Sequence, residues 1–211
     1  MRPLLALDLD GTLITVAQKQ TTLLGALAHA RGLQLDLGRI WLLKRDGAST
    51  KSALVETGVQ MDLAQALSRD WVAAVETPYW QSLDSLLSGV KKCLIGLQDQ
   101  ADCVIISARQ HAYLLHQQVR QLGLSEYVSA VHRVHPERAS EAKAEILSQI
   151  GATGFIGDNE SDAKAAELAD VPFAAVSTGQ RSEAFLRGAG LAEVHADFYT
   201  AVKSVSYPSL L

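Results

Sequence analysis

The sequence predicts a doubly wound parallel α/β sheet interrupted by an all-helical insertion, and three observations lead there. Short buried apolar runs alternate with amphipathic stretches from residue 102 onward, and the chain opens directly on such a run. Between them, residues 15–87 carry helical patterns and no clear strand.

The opening run, Pro3–Leu9, is punctuated by Asp10-Gly11-Thr12, so it reads as a buried strand delivering residues into a turn. Helical spacing follows at Thr22–Arg31, Thr50–Thr57, Leu63–Glu76 and Tyr79–Leu87, with Ser49 and Asp62 as candidate N-caps and Thr77-Pro78 as a break. The alternation then begins with a strand at Cys103–Ile106. A helix over Gln110–Leu122 follows, its apolar face built by Tyr113, Leu114, Val119 and Leu122 and its end set by Gly123. Strands at Tyr127–Val131, Gly154–Ile156, Phe173–Val176 and Ala192–Val194 are interleaved with helices at Ala139–Gln149, Ser161–Leu168, Arg181–Arg187 and Ala196–Val202. Ligands of such sheets bind in a crevice at the carboxyl ends of the strands. An insertion after the first strand places a second lobe over that crevice, so the expected division is a discontinuous core of residues 1–14 and 88–211 and a helical unit of residues 15–87. The tail Tyr207–Leu211 has no assignment.

Composition narrows the class further. A chain of 211 residues, 48% hydrophobic and 20% charged, is ordinary globular material and excludes collagen-like or largely disordered polymers. With 19 basic against 23 acidic residues, and no basic block beyond Lys44-Arg45 and Lys91-Lys92, nothing attracts a nucleic acid backbone. Asp8 and Asp10 interrupt the opening run where a signal peptide needs continuity, and no apolar run approaches the ~18 residues of a membrane span. Cys93 and Cys103 form neither a disulfide framework nor a zinc motif and read as thiols in a reducing compartment. A cytoplasmic protein, monomeric or homodimeric, is expected.

The chemistry gathers at strand ends. Asp8 and Asp10 are two apart, which in a regular strand puts both carboxylates on one face, and two like charges there need a cation or a shared proton. Capping accounts for Asp10 but not for Asp8 between Leu7 and Leu9. A second acidic group, Asp158-Asn159-Glu160-Ser161-Asp162, follows the strand at Gly154–Ile156; on its own, helix capping and metal binding suit it equally. EF-hand spacing fails, because Ala163 stands where the turn glycine belongs. Oxygen ligands without a Cys/His cluster favour a hard cation such as Mg²⁺. Ser107 closes another strand and is followed by Ala108-Arg109, so its hydroxyl is a candidate oxyanion donor. Lys143, near the start of a helix where the dipole disfavours a cation, is either a solvated lysine or one with a task. There is no P-loop, no Gly-x-Ser-x-Gly elbow and no dinucleotide fingerprint.

Asp8-Leu-Asp10-Gly11-Thr12-Leu13, then Ser107, Lys143 and Gly157-Asp158-x-x-x-Asp162, resemble in order the four motifs of the haloacid dehalogenase-like hydrolase superfamily. The stretch Val176–Glu183 with Gly188-Ala-Gly190 is similar to the phosphoglycolate phosphatase-like branch, although the short Lys143–Asp158 interval resembles the phosphoserine phosphatase-like arrangement. The resemblance implies a Rossmann-like core with a helical cap and a Mg²⁺-dependent phosphatase of small-molecule phosphate esters. It makes Asp8 the nucleophile, Asp10 the acid and base, and Ser107 and Lys143 the holders of the transferring oxygens. Around Mg²⁺ it places Asp8, the main-chain carbonyl of Asp10, Asp158 and Asp162. Gly11, Thr12, Ala108 and Arg109 become candidate phosphate-side contacts, and Arg45 and Lys51 candidate contacts from the insertion. A phosphomutase or phosphotransferase of the same superfamily, and a non-catalytic phospho-acceptor or interaction domain, are the alternatives.

Overall fold

The computed structural model describes residues 2–206. Among these, six parallel strands form one sheet: β1 (Leu4–Leu7), β2 (Asp102–Ala108), β3 (Ala130–Val134), β4 (Gly154–Gly157), β5 (Phe173–Val176) and β6 (Val194–His195). Their order is β3-β2-β1-β4-β5-β6, so the chain winds outward from β1 to one side and returns to the other. The direction of winding reverses between β1 and β4, the place where ligands bind in such sheets.

Both faces of the sheet are covered, which is why the strands read as continuous apolar runs. Leu5, Leu7, Ile105 and Ile156 point to one face, where α6 (Val90–Leu97), α7 (Ala112–Gln121) and α11 (Phe198–Ser206) bring Leu94, Leu115 and Phe198. Ala6, Val104, Ile106 and Phe155 point to the other, against Leu147 of α8 (Ala139–Ile150) and Ala165 of α9 (Glu160–Ala169). The alternation along β1 and β2 is the period-two geometry of a strand. α10 (Glu183–Gly188) precedes β6.

Between β1 and α6 the chain forms α1 (Ala17–His29), α2 (Leu37–Arg45), α3 (Thr50–Glu56), α4 (Met61–Ala74) and α5 (Pro78–Gln81). These have their own apolar cluster, with Leu24, Ile40, Leu54 and Leu67 at its centre. The segments that enter and leave this layer are paired: Thr15 N donates to Ser85 O at 2.8 Å and Leu87 N to Leu13 O at 3.0 Å. Both crossings therefore lie directly beyond β1.

Several elements differ from the sequence-based expectation. The third strand runs Ala130–Val134 rather than Tyr127–Val131, because Gly123 (φ 67°) starts a 3₁₀ turn at Leu124–Glu126 that buries Leu124 before the strand begins. The last strand is Val194–His195 rather than Ala192–Val194. Pro78 starts a single turn, not a helix to Leu87, since the chain beyond it returns to pair Leu86 with Ile14. Asp62 lies inside the first turn of α4, whose N-cap is Gln60, while Ser49 does cap α3 by accepting from Ser52 N at 3.0 Å. Two helices, α2 and α6, were not anticipated. In α2 the buried positions are Ile40 and Lys44, and a lysine in the buried seam hides the apolar stripe.

Candidate active site

The site is assembled from residues at the carboxyl ends of β1, β2 and β4. Asp8 N donates to Ile156 O at 2.9 Å, which keeps Asp8 in sheet register one residue past β1. Asp158 comes directly after β4, and Asn159 caps α9 by accepting from Ser161 N at 2.9 Å and Asp162 N at 3.1 Å, so that Asp162 turns back towards Asp158. Lys143 reaches in from α8, donating to Asp8 Oδ1 at 2.6 Å and Asp162 Oδ1 at 2.5 Å. All four side chains are buried.

Two glycines permit this closeness. A Cβ on Gly157 would stand 2.6 Å from that of Asp162, and one on Gly11, itself at φ 84°, would stand 2.5 Å from the Gly179 Cα. Gly11 and Gly179 close a backbone cradle around Asp158, whose Oδ2 accepts from Gln180 N at 2.6 Å and whose Oδ1 accepts from Asn159 Nδ2 at 3.0 Å.

One ammonium faces three carboxylates here, which sets the electrostatics. Burial, and then the neighbouring Asp162, push Asp158 up to about 7. Burial and the surrounding acids also raise Asp8, outweighing Lys143. Lys143 itself is raised, because Asp162 and Asp8 outweigh its burial. One oxygen from each of Asp8, Asp158 and Asp162 lies within 4.8 Å of the others, and Asp162 Oδ2 is buried without a partner. A compact, negative, oxygen-only set with an unsatisfied buried oxygen fits a hard divalent cation such as Mg²⁺.

The Asp10 side chain is turned away from this set. Arg109 Nη2 contacts its two oxygens at 2.7 and 2.6 Å, and Lys19 Nζ stands 3.6 Å away. Although burial alone would raise Asp10, Arg109 and Lys19 hold it below the usual carboxylate value. Behind this pair, Lys19 donates to Asp84 at 2.5 Å, and Gln118 joins Asp84 (2.8 Å) to Arg109 (3.0 Å).

These groups open on a polar cavity of about 160 Å³. Asp8, Asp10, Ser107, Arg109 and Lys143 form its floor; Lys19, Gln20, Trp71 and Glu76 come from the helical layer. Glu76 ties the two parts together, its oxygens accepting from Gln110 N at 2.9 and 3.0 Å and from His111 N at 3.2 Å at the start of α7. A larger apolar groove of about 530 Å³ between α6 and α11 contains no acid and lies away from this chemistry.

The structure thus brings together Asp8, Ser107, Lys143, Asp158 and Asp162, with Asp10, Ala108 and Arg109 at the same cavity. Gly11 backs Asp158, and Thr12 is fully buried with its hydroxyl unpartnered; neither lines the cavity. Arg45 and Lys51, expected at the substrate, are elsewhere. Arg45 donates to the carbonyls of Ser177, Gly179 and Arg181, drawn there by a loop whose backbone acceptors are otherwise unpaired, and Lys51 is exposed on α3. Sequence reasoning missed Lys19, Gln20, Trp71, Glu76, Asp84 and Gln118. A signal existed for two of them: Lys19 and Gln20 sit one turn before the buried Leu23 and Leu24, at apolar-stripe positions of α1.

Comparison with known proteins agrees with this geometry. A family model described as haloacid dehalogenase-like hydrolase matches residues 3–170. A phosphoglycolate phosphatase of Rhodobacter capsulatus is 28% identical over 194 residues, covering 86% of this chain and 87% of that one. A haloacid dehalogenase-like family hydrolase from Streptococcus pneumoniae superposes with a TM-score of 0.74 at 15% identity, over 96% of this chain and 97% of the other. A predicted phosphatase from Clostridium acetobutylicum does so at 0.70 and 19%, over 97% and 98%. The chain belongs to the haloacid dehalogenase-like hydrolases, and it is an enzyme of their phosphatase class.

Proposed function

We propose that this enzyme is a Mg²⁺-dependent phosphatase that hydrolyses a small-molecule phosphate monoester through an aspartyl-phosphate on Asp8. The observation that carries the reading is a buried carboxylate at the end of the central strand, 2.6 Å from Lys143, opening on a small cavity that a second acid, Asp10, also lines. The similarity to a phosphoglycolate phosphatase supports the same substrate class, a small phosphate ester.

An Asp8 oxygen attacks phosphorus and displaces the alcohol, dividing one hard displacement into two easier ones. The leaving oxygen takes a proton from Asp10. In the second half Asp10 accepts a proton from the water that attacks the acyl phosphate, which returns Asp8 as a carboxylate and releases inorganic phosphate. The Arg109 and Lys19 pairings favour the ionised Asp10 that this second half needs, so in the first half Asp10 must be protonated against both pairings to act as an acid. Lys143 and the Ser107 hydroxyl hold the phosphoryl oxygens in line with Asp8. Asp8, Asp158, Asp162 and the Asp10 main-chain carbonyl would hold Mg²⁺, which when bound neutralises phosphoryl charge.

The separate apolar cluster of α1–α5 and the paired crossings at Thr15–Ser85 and Leu13–Leu87 support a two-part organisation, residues 15–87 capping a core of 1–14 and 88–211. Such a cap excludes water and reads the leaving group. No helix among the described residues is long and apolar enough to cross a membrane, which suits cytoplasmic work on a metabolite. A panel of phosphate esters assayed for inorganic phosphate, with and without Mg²⁺, tests the reading. Release that requires Mg²⁺ and disappears in Asp8→Asn supports it, and full activity in Asp8→Asn overturns it.

A further inference from the structure

We propose that the helical layer carries a subsite for a carboxylate on the leaving group, in which Gln20 donates its amide N–H and Lys44 positions Gln20 and supplies the positive charge behind it. The inference rests on the phosphatase reading and names the end of the ester that the sheet acids leave unheld.

Lys44 is 6% exposed on α2, yet it makes no salt bridge among the described residues. Its ammonium meets only neutral groups, donating to Gln20 Oε1 at 2.6 Å and Thr50 Oγ1 at 3.0 Å and standing 4.3 Å over the Trp71 ring. The charged neighbour it feels is a second cation, Arg181, whose Nη1 donates to the Lys44 carbonyl at 2.8 Å. A buried charge without a counter-ion is costly, so the fold alone does not account for it. Burial, and then Arg181, push this lysine down to about 7, as expected of a cation short of a negative partner.

Gln20 connects this charge to the cavity. An ammonium only donates, so Gln20 must present its oxygen to Lys44 and its NH₂ elsewhere. That Nε2 has no partner among the described residues, while Gln20 itself is 5% exposed and lines the cavity. Trp71 Nε1 donates to the Gln20 carbonyl at 3.2 Å, fixing the backbone from which the amide projects. An unspent donor pair, backed by an unpaired cation, recognises an acceptor carrying negative charge. The other charged groups on this wall are already spent: both Glu76 oxygens hold backbone N–H groups, and Lys19 is paired with Asp84 and Asp10. Gln20 and the Asp8, Ser107 and Lys143 group line one cavity of about 160 Å³.

The test measures kcat and KM with Mg²⁺ for 2-phosphoglycolate and for propyl phosphate, an ester of similar length without the second charge. The wild type is expected to favour 2-phosphoglycolate in kcat/KM by roughly tenfold or more, the scale of one charge-assisted hydrogen bond. Gln20→Leu and Lys44→Met should erase that preference through KM, and Lys44→Arg should restore part of it. Equal use of both esters by the wild type, or a preference that survives in the variants, overturns the subsite and leaves the phosphatase standing. Hydrolysis of neither ester overturns the subsite and leaves the phosphatase reading to the ester panel. Thermal melts establish that the variants fold; if Lys44→Met does not, Gln20→Leu decides alone.

Discussion

The end of the sheet and the wall of the helical layer face the same small cavity with opposite imbalances of charge. At the sheet, three buried carboxylates share one ammonium; in the layer, Lys44 is buried with no carboxylate paired to it among the described residues, and the neighbouring Arg181 is already paired with Glu160. The first imbalance sits on strand ends and the first turn of α9, where register and a cap fix each side chain to its neighbour. The second sits on helices with an apolar cluster separate from that of the core. Reacting atoms need rigid placement, which strand ends provide. Recognition of varied leaving groups is better carried by a part that packs independently.

This contrast is breakable, beginning with the largest effect. Asp8→Asn should lower turnover of any phosphate ester by roughly a thousandfold or more, measured as phosphate release, with the circular dichroism spectrum retained. A variant within tenfold of wild type would place the nucleophile elsewhere. Next, Lys143→Met leaves three buried carboxylates without their ammonium, and should cost activity together with about 3–5 kcal/mol of stability in the metal-free protein. Added Mg²⁺ should recover part of the lost melting temperature, since the cation neutralises the same acids; no recovery would argue that these acids do not share one ion.

A smaller effect concerns the join between the two parts. Glu76→Gln keeps the size but weakens three charge-assisted acceptances from the start of α7, and should cost about 1–2 kcal/mol in chemical denaturation. A last effect is a pH dependence in the layer. Lys44 has a folded value of about 7, below that of a free lysine, so between pH 7 and the unfolded value the unfolded chain binds more protons and stability rises with pH. Below pH 7 both states are protonated and the full cost of the buried charge is present. Lys44→Met should therefore gain melting temperature relative to wild type most at pH 6 and least near pH 10. A pH-independent difference would show that the ammonium is not destabilised, and the contrast between the two regions would narrow.

Much of the sheet end was legible because its residues are local to strands. Asp8 and Asp158 each come immediately after a strand, and Asp162 is four residues past Asp158, so short-range geometry is enough to bring the two together once a cap starts α9. Lys143 was legible only through its motif, since on α8 it reads as an ordinary helix lysine until its burial is seen. Arg45 and Lys51 show the opposite failure. They were candidates for their charge within the insertion, but the face a helix turns inward is chosen by its neighbours, and the one turned inward is Lys44.

By itself, the sequence determined the alternating α/β plan, the place where helices interrupt it, and the acids at the carboxyl ends of β1 and β4. Each of these depends on period, turn residues or spacings of a few positions, which are properties of a chain segment. Only the tertiary structure decided that Asp10 is held by Arg109 and Lys19, that Glu76 caps α7 from another part of the chain, and that Lys44 meets Gln20 and Trp71 behind the cavity wall that those two line. Those contacts join residues distant in the chain, 24 positions apart for Gln20 and Lys44 within the helical layer and 99 for Asp10 and Arg109 within the core, while Lys19–Asp10 and Glu76–Gln110 also depend on how the two separately packed apolar clusters dock.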